Sequence, residues 1–205
     1  IDAPGVTVDL NGHTIKGAGN ASYGVLVNNS TTLKNGTIRD SFGLGRGGSA
    51  LKISNVDFRD VTQGAAGGGK GSSAKNSAFI NTHGTFALAG NIQHCWFTNS
   101  TIDGLQLSGT GGTVSDSLFA NNHGNGLLIG PIQEPAEKLT INRIVALHND
   151  GAGVDLFGYL TSGNQVTGSL VAGNGLDGIT LDHAGATHMF KLPGPNLVKG
   201  NQLLG

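Results

Sequence analysis

The chain has 205 residues, enough for one domain that buries about 70% of the surface its unfolded form would expose. Only 12% of the residues are charged and the formal net charge is −1, with no basic run, so the electrostatic footprint of a nucleic-acid-binding protein is missing. The single cysteine, Cys95, rules out an internal disulfide framework, and no apolar run reaches the ~20 residues of a membrane-spanning helix.

Glycine supplies 36 residues, well above its usual share, while Val, Ile, Leu and Phe recur in short alternating runs that can bury a core. The chain is therefore ordered and full of tight turns. Taken from the N-terminus, two kinds of segment alternate. The first kind reads "LKNGTIRD", "ISNVDFRD", "AKNSAFIN", "IQHCWFTN", "VSDSLFAN" and "TINRIVALHN". Aligned, these place Ile38, Phe58, Phe79, Phe97, Phe119, Val145 and Val171 in one apolar column, an irregular repeat of one coil. Phe58, Phe79, Phe97 and Phe119 are expected to stack inside the core.

Polar turn residues bracket that column. Asn35, Asn55, Asn76, His94, Asp116, Asn142 and Gly168 precede it, and Asp40, Asp60, Asn81, Asn99 and Asn121 follow it. Asn and Asp tolerate left-handed backbone and hydrogen-bond their neighbours, so stacked Asn ladders are expected.

The second kind of segment comprises "YGVLVN", "GTFALAG", "DGLQLSG", "NGLLIG", "AGVDLFG" and "DGITLD", each alternating apolar with other residues over three to five positions. Period two means strand. Short strands, frequent turns and the lack of helical periodicity predict an all-β fold, a right-handed single-stranded parallel β-helix of about seven to nine coils. "PIQEPAEKL" at 131–139 has room for one helical turn. The β-helix is expected over residues 1–187, and 188–205, with Pro193 and Pro195, is expected to form an irregular C-terminal coil or cap. "GAAGGGKGS" at 64–72 has Gly64, Gly69 and Lys70 at phosphate-loop spacing, but Gly71 stands where Ser or Thr is needed; it reads as a turn.

With these coils in place, the opening "IDAPGVTVDLNGHTIKGAGNASYGVLVNNSTTLKNGTIRD" resembles the first coils of the right-handed β-helix repeat family of the pectate-lyase-like superfamily. The resemblance extends as fold to about Asp182. It implies an extracellular or periplasmic protein that acts on a polysaccharide as lyase, hydrolase or epimerase, or else a non-catalytic carbohydrate-binding or adhesive module or a structural rod. The "NTD", "DD", "GHG" and "RIK" motifs of polygalacturonase-like members do not occur here.

In such enzymes the substrate groove runs along the strand that here reads "GVLV" to "GITL", with the turn before it. If Val154 and Leu156 point inward, Asp155 points out, together with Gln106, Leu128 and Thr180. The preceding turns carry Asp103, His123, Asn125, Asp150 and Asp177; Asp182 and His183 follow the last such strand. Asp155, Asp177, Asp150 and His123 are the candidate catalytic acid and base groups, and Gln106, Asp103, Asp182 and His183 the candidate substrate-binding groups. The same oxygen-rich set can suit Ca²⁺, the one cofactor considered. The competing explanation is turn chemistry, since Asp103, Asn125, Asp150 and Asp177 each precede Gly. Cations are sparse near this cluster, which leaves His123, His183 and Tyr159 as the available bases. Asp57, Arg59 and Asp60 alternate on one strand and read as surface ion pairs, and the scattered His residues lack zinc-site spacing.

Overall fold

The computed structural model describes residues 1–19, 23–46, 50–65, 71–88, 90–130, 135–158, 161–182 and 196–204, with the backbone alone at 44–46, 65, 88 and 182. His183, Tyr159, Lys70 and Gly69 lie outside these residues, as does the side chain of Asp182.

The described residues form strands and turns without a helix, and the registered strand pairs are parallel. The protein is a parallel β-helix. Thr31–Arg46 and Leu51–Ala65 each run around most of a coil as one strand, paired along their length. Later coils divide into shorter pieces. The coil that begins at Thr113–Ser115 continues through Leu118–Ala120 and Leu127–Ile129 and adds Ala136–Glu137, a fourth short strand paired with Gly109–Thr110 and Thr161–Ser162. Ala136–Glu137 is a strand, and residues 131–134 of the segment with room for a helical turn lie outside the described residues.

One-residue turns in left-handed conformation make the corners. Asn35, Asn55, Asn76, His94, Asp116 and Arg143 form the first corner column, and Asp40, Asp60, Asn81, Asn99, Asn121 and His148 the second, all with φ between 47 and 58°. Most are Asn or Asp, whose short polar side chains lower the cost of this conformation. The alignment of one coil shifts by a residue. Phe119 pairs with Ala146 and then Val171, so Ala146 continues the apolar column and Arg143 the corner, where Val145 and Asn142 were expected.

The core follows from this alternation. Phe58, Phe79, Phe97 and Phe119 stack with centroids 4.9, 4.9 and 5.0 Å apart and ring planes within 5° of parallel. Strand stacking, set by backbone hydrogen bonds at about 4.8 Å, imposes this face-to-face spacing on identical rotamers. Cys95 is buried beside the stack, and burial pushes its thiol pKa up to about 11.

Two Asn ladders run along the rod. The outer one links Asn35 to Asp9, Asn55 to Asn35, and Asn76 to Asn55 through amide donors at 3.0, 3.1 and 3.3 Å. The inner one, Asn122–Asn149–Asn174, lies just past the second corner. Asn122 Nδ2 donates to Asn149 Oδ1 at 2.7 Å, and Asn149 Nδ2 to Asn174 Oδ1 at 2.9 Å. Each amide also donates to the carbonyl of the preceding coil, at Phe97, Phe119 and Ala146. At the C-terminal end Leu197–Lys199 and Gln202–Leu204 pair in register with Gln165–Thr167 and Leu170–Ala172, extending the stack.

Candidate functional site

The row that carries Asp155 is a register row of the sheet: Phe86, Gln106, Leu128, Asp155 and Thr180 are successive partners, all half-buried, while Val154 and Leu156 are buried. Alternation therefore turns these side chains outward.

The candidates in the preceding turn separate into two columns. Thr101, His123, Asp150 and Gly175 stack in one, shown by their backbone N–H donors to Thr82, Ser100, Asn122 and Asn149 carbonyls of the coil before. Asp103, Asn125, Ala152 and Asp177 stack in the other, since Gly104, Gly126 and Gly153 N–H groups donate to the carbonyls of Asn125, Ala152 and Asp177. Asp150 and Asp177 are thus in different columns, and the neighbour of Asp150 in the next coil is Gly175. Asp177 is exposed.

Asp103 is committed to the fold. Its Oδ1 accepts the Asn125 N–H at 2.7 Å and its Oδ2 accepts Gln106 Nε2 at 2.7 Å. One coil later Asn125 Oδ1 accepts the Ala152 N–H at 2.8 Å. The two residues perform the same backbone capping, which explains why Asn and Asp interchange there. It also fixes Gln106, through Asp103, in the row of Asp155.

His123 and Asp150 are the pair with chemical capacity. His123 Nδ1 and Asp150 Oδ2 are 2.9 Å apart, and their side chains are 70% and 67% exposed. An ionised carboxylate can only accept, so Nδ1 carries the proton of this contact and Nε2 is left facing solvent, where the neutral form of the ring offers a lone pair. That is the arrangement of a general base oriented by a carboxylate.

The column extends further than sequence reasoning reached. His83 stacks below Thr101, and its Nδ1 shares a 2.5 Å hydrogen bond with the Thr101 hydroxyl. Asp40, Asp60, Asn81, His83 and Thr101 line a cleft of about 650 Å³ at the second corner. The signal was present as a repeat, Asn81-Thr82-His83-Gly84 and Asn121-Asn122-His123-Gly124, which sets both imidazoles in one column. In the cleft Asp60 accepts Asn81 Nδ2 at 2.9 Å, while Asp57 pairs with Arg59 at 3.0 Å on the neighbouring face, as expected of surface ion pairs.

Among the described residues no three His, Cys, Asp or Glu side chains converge to hold a metal ion. Of the carboxylates considered for Ca²⁺, Asp103 is used for capping, Asp150 is bound to His123, and Asp177 stands in a different column from Asp150. Among the same residues no helix is long and apolar enough to cross a membrane.

Comparison of the sequence with protein-family models and with curated proteins finds no match.

Proposed function

We propose that the protein is a carbohydrate-active β-helix of the pectate-lyase-like kind that engages an extended polysaccharide outside the cytoplasm, along the His83–Thr101–His123–Asp150 column and the Asp155 row that lies beyond the Asp103–Asn125–Ala152–Asp177 column. The observation that carries this reading is the His123–Asp150 pair, an exposed imidazole held by a carboxylate in a polar column that runs coil by coil along the rod. A linear polymer repeats along its own axis, and so do these side chains, at the ~4.8 Å strand spacing. Hydroxyl groups of a sugar chain supply the donors and acceptors that Thr101, Asn81, His83 and Asp60 call for. His123 would act as proton acceptor, Asp150 as its orienting group, and Asp155 as a second carboxylate on the outward strand row.

A specific observation favours a second reading, a non-catalytic binding module. Both oxygens of Asp103 are consumed by the fold, which leaves fewer acids for chemistry. One experiment separates the two. The protein, H123A and D155N are incubated with acidic and neutral polysaccharides, and reducing ends, unsaturated ends and retention in affinity electrophoresis are measured. Product release lost in H123A supports the enzyme. Retention without product supports the module. Neither retention nor product from any polysaccharide would sink both.

A further inference from the structure

A second groove lies on a different face, along the strands between the two corners. It measures about 460 Å³ and is lined by Asp57, Asn76, Ala78, His94, Trp96 and Asp116, with Ser77 at its base. Trp96 is 59% exposed, turned outward between the fully buried Cys95 and Phe97. It stands on an outward register row in which Asp57 pairs with Ala78 and Ala78 with Trp96. Ala78, small and buried, forms the floor between the carboxylate and the indole. Asn76, His94 and Asp116 form the opposite wall, because they belong to successive coils of the first corner.

We infer that this groove is a binding site for a neutral glycan, with one pyranose ring stacked on the Trp96 indole and its hydroxyls donating to Asp57. Three chemical classes fit an exposed indole flanked by carboxylates, and charge decides between them. A cation would sit over the ring face if the acids were free to neutralise it. They are not: Asp57 is paired with Arg59 at 3.0 Å, and Asp116 is clasped by Arg143 Nε and Nη2 at 2.8 and 2.9 Å. A uronic acid would need a cation for its carboxylate, and the two arginines beside the groove are already taken by Asp57 and Asp116 and do not line it. A neutral polyol meets neither obstacle. Its hydroxyl protons find an acceptor in Asp57, whose orientation Arg59 fixes, and charge-assisted bonds of this sort are the stronger kind. Its axial C–H groups, polarised by the ring oxygens, face the negative face of the indole. The volume falls within the range of about 300–1,000 Å³ typical of small-ligand sites.

The inference rests on this groove alone and not on the His123 column. Trp96 is the only tryptophan in the chain, so intrinsic emission reports this site and no other. The full chain is titrated with neutral hexasaccharides of glucose, mannose and xylose, with hexagalacturonate and with tetramethylammonium. Emission and its quenching by acrylamide are followed for the wild type, D57A and H123A, and retention on immobilised neutral polysaccharide is measured for W96A. Circular dichroism confirms that each variant keeps the strand signature. The expected result is a saturable shift and protection from acrylamide with a neutral hexasaccharide, unchanged in H123A, with affinity weakened about tenfold or more in D57A and retention reduced in W96A. A response confined to hexagalacturonate or to tetramethylammonium overturns the inference. So does no response at millimolar concentration, or emission that varies with protein concentration alone because Trp96 is covered by a second copy.

Discussion

His123 and Asp150, 27 residues apart in the chain, meet through a 2.9 Å contact between Nδ1 and Oδ2 because one full coil separates them and the corner geometry repeats. Both side chains are largely in solvent, so their mutual attraction is screened. A double-mutant cycle of H123A and D150A, read by urea denaturation, should therefore give a coupling below about 1 kcal/mol. If the protein processes a polysaccharide, H123A should lower kcat/KM by about 100-fold or more with the unfolding midpoint unchanged. A large stability loss in H123A would assign the pair to the fold.

Acid stability should depend on Asp116. The Arg143 guanidinium, first among its influences, holds the Asp116 carboxyl down to about 2 from an ordinary 3.8. A carboxyl depressed in the folded state favours folding fully above its unfolded value, and this contribution fades as pH falls through the folded one. The loss should fall between about pH 4 and pH 2. R143A should flatten the fall in stability over that window, measured by thermal unfolding at stepped pH. An unchanged slope would show that the clasp has no thermodynamic weight in solution.

The aromatic stack should behave as a cooperative column. Phe97 is fully buried and sandwiched between Phe79 and Phe119, whereas Phe119 has one stacked neighbour and then Ala146. F97A should cost about 3–5 kcal/mol in urea denaturation. It should exceed F119A by roughly the value of one aromatic pair, about 0.5–1.5 kcal/mol. Equal losses would mean that burial alone, without ring stacking, sets the cost.

The two Asn ladders should differ in weight. Asn149 accepts the buried Asn122 N–H and Asn122 Nδ2, and donates to Phe119 O and Asn174 Oδ1. N149A orphans several of these groups away from water and should cost about 2–4 kcal/mol. Asn76 sits in the exposed ladder, where water replaces its partner, so N76A should lose chiefly the left-handed preference, about 1–2 kcal/mol. The comparison is a pair of denaturation curves; N76A costing as much as N149A would contradict it.

The sequence by itself determined the architecture. Period-two alternation told which side chains enter the core, and Asn or Asp at each corner marked the left-handed turns, because both signals are local to a few residues. The Phe58 to Phe119 stack and the outward row of Gln106, Leu128, Asp155 and Thr180 were legible for the same reason. Only the tertiary structure decided which residues of different coils stand side by side. Coil length varies, so one residue of slip exchanged Val145 for Ala146 and Asn142 for Arg143, and it is that shift that sets Arg143 over Asp116. The roles of Asp103 and Asp150 diverged likewise: two acids before glycine look alike in the chain, yet stacking gives one to a backbone N–H and a glutamine, and the other to an imidazole. Trp96 read as one more strand residue until the register set Ala78 and Asp57 beside it, for a groove is a relation between coils and no single coil contains it.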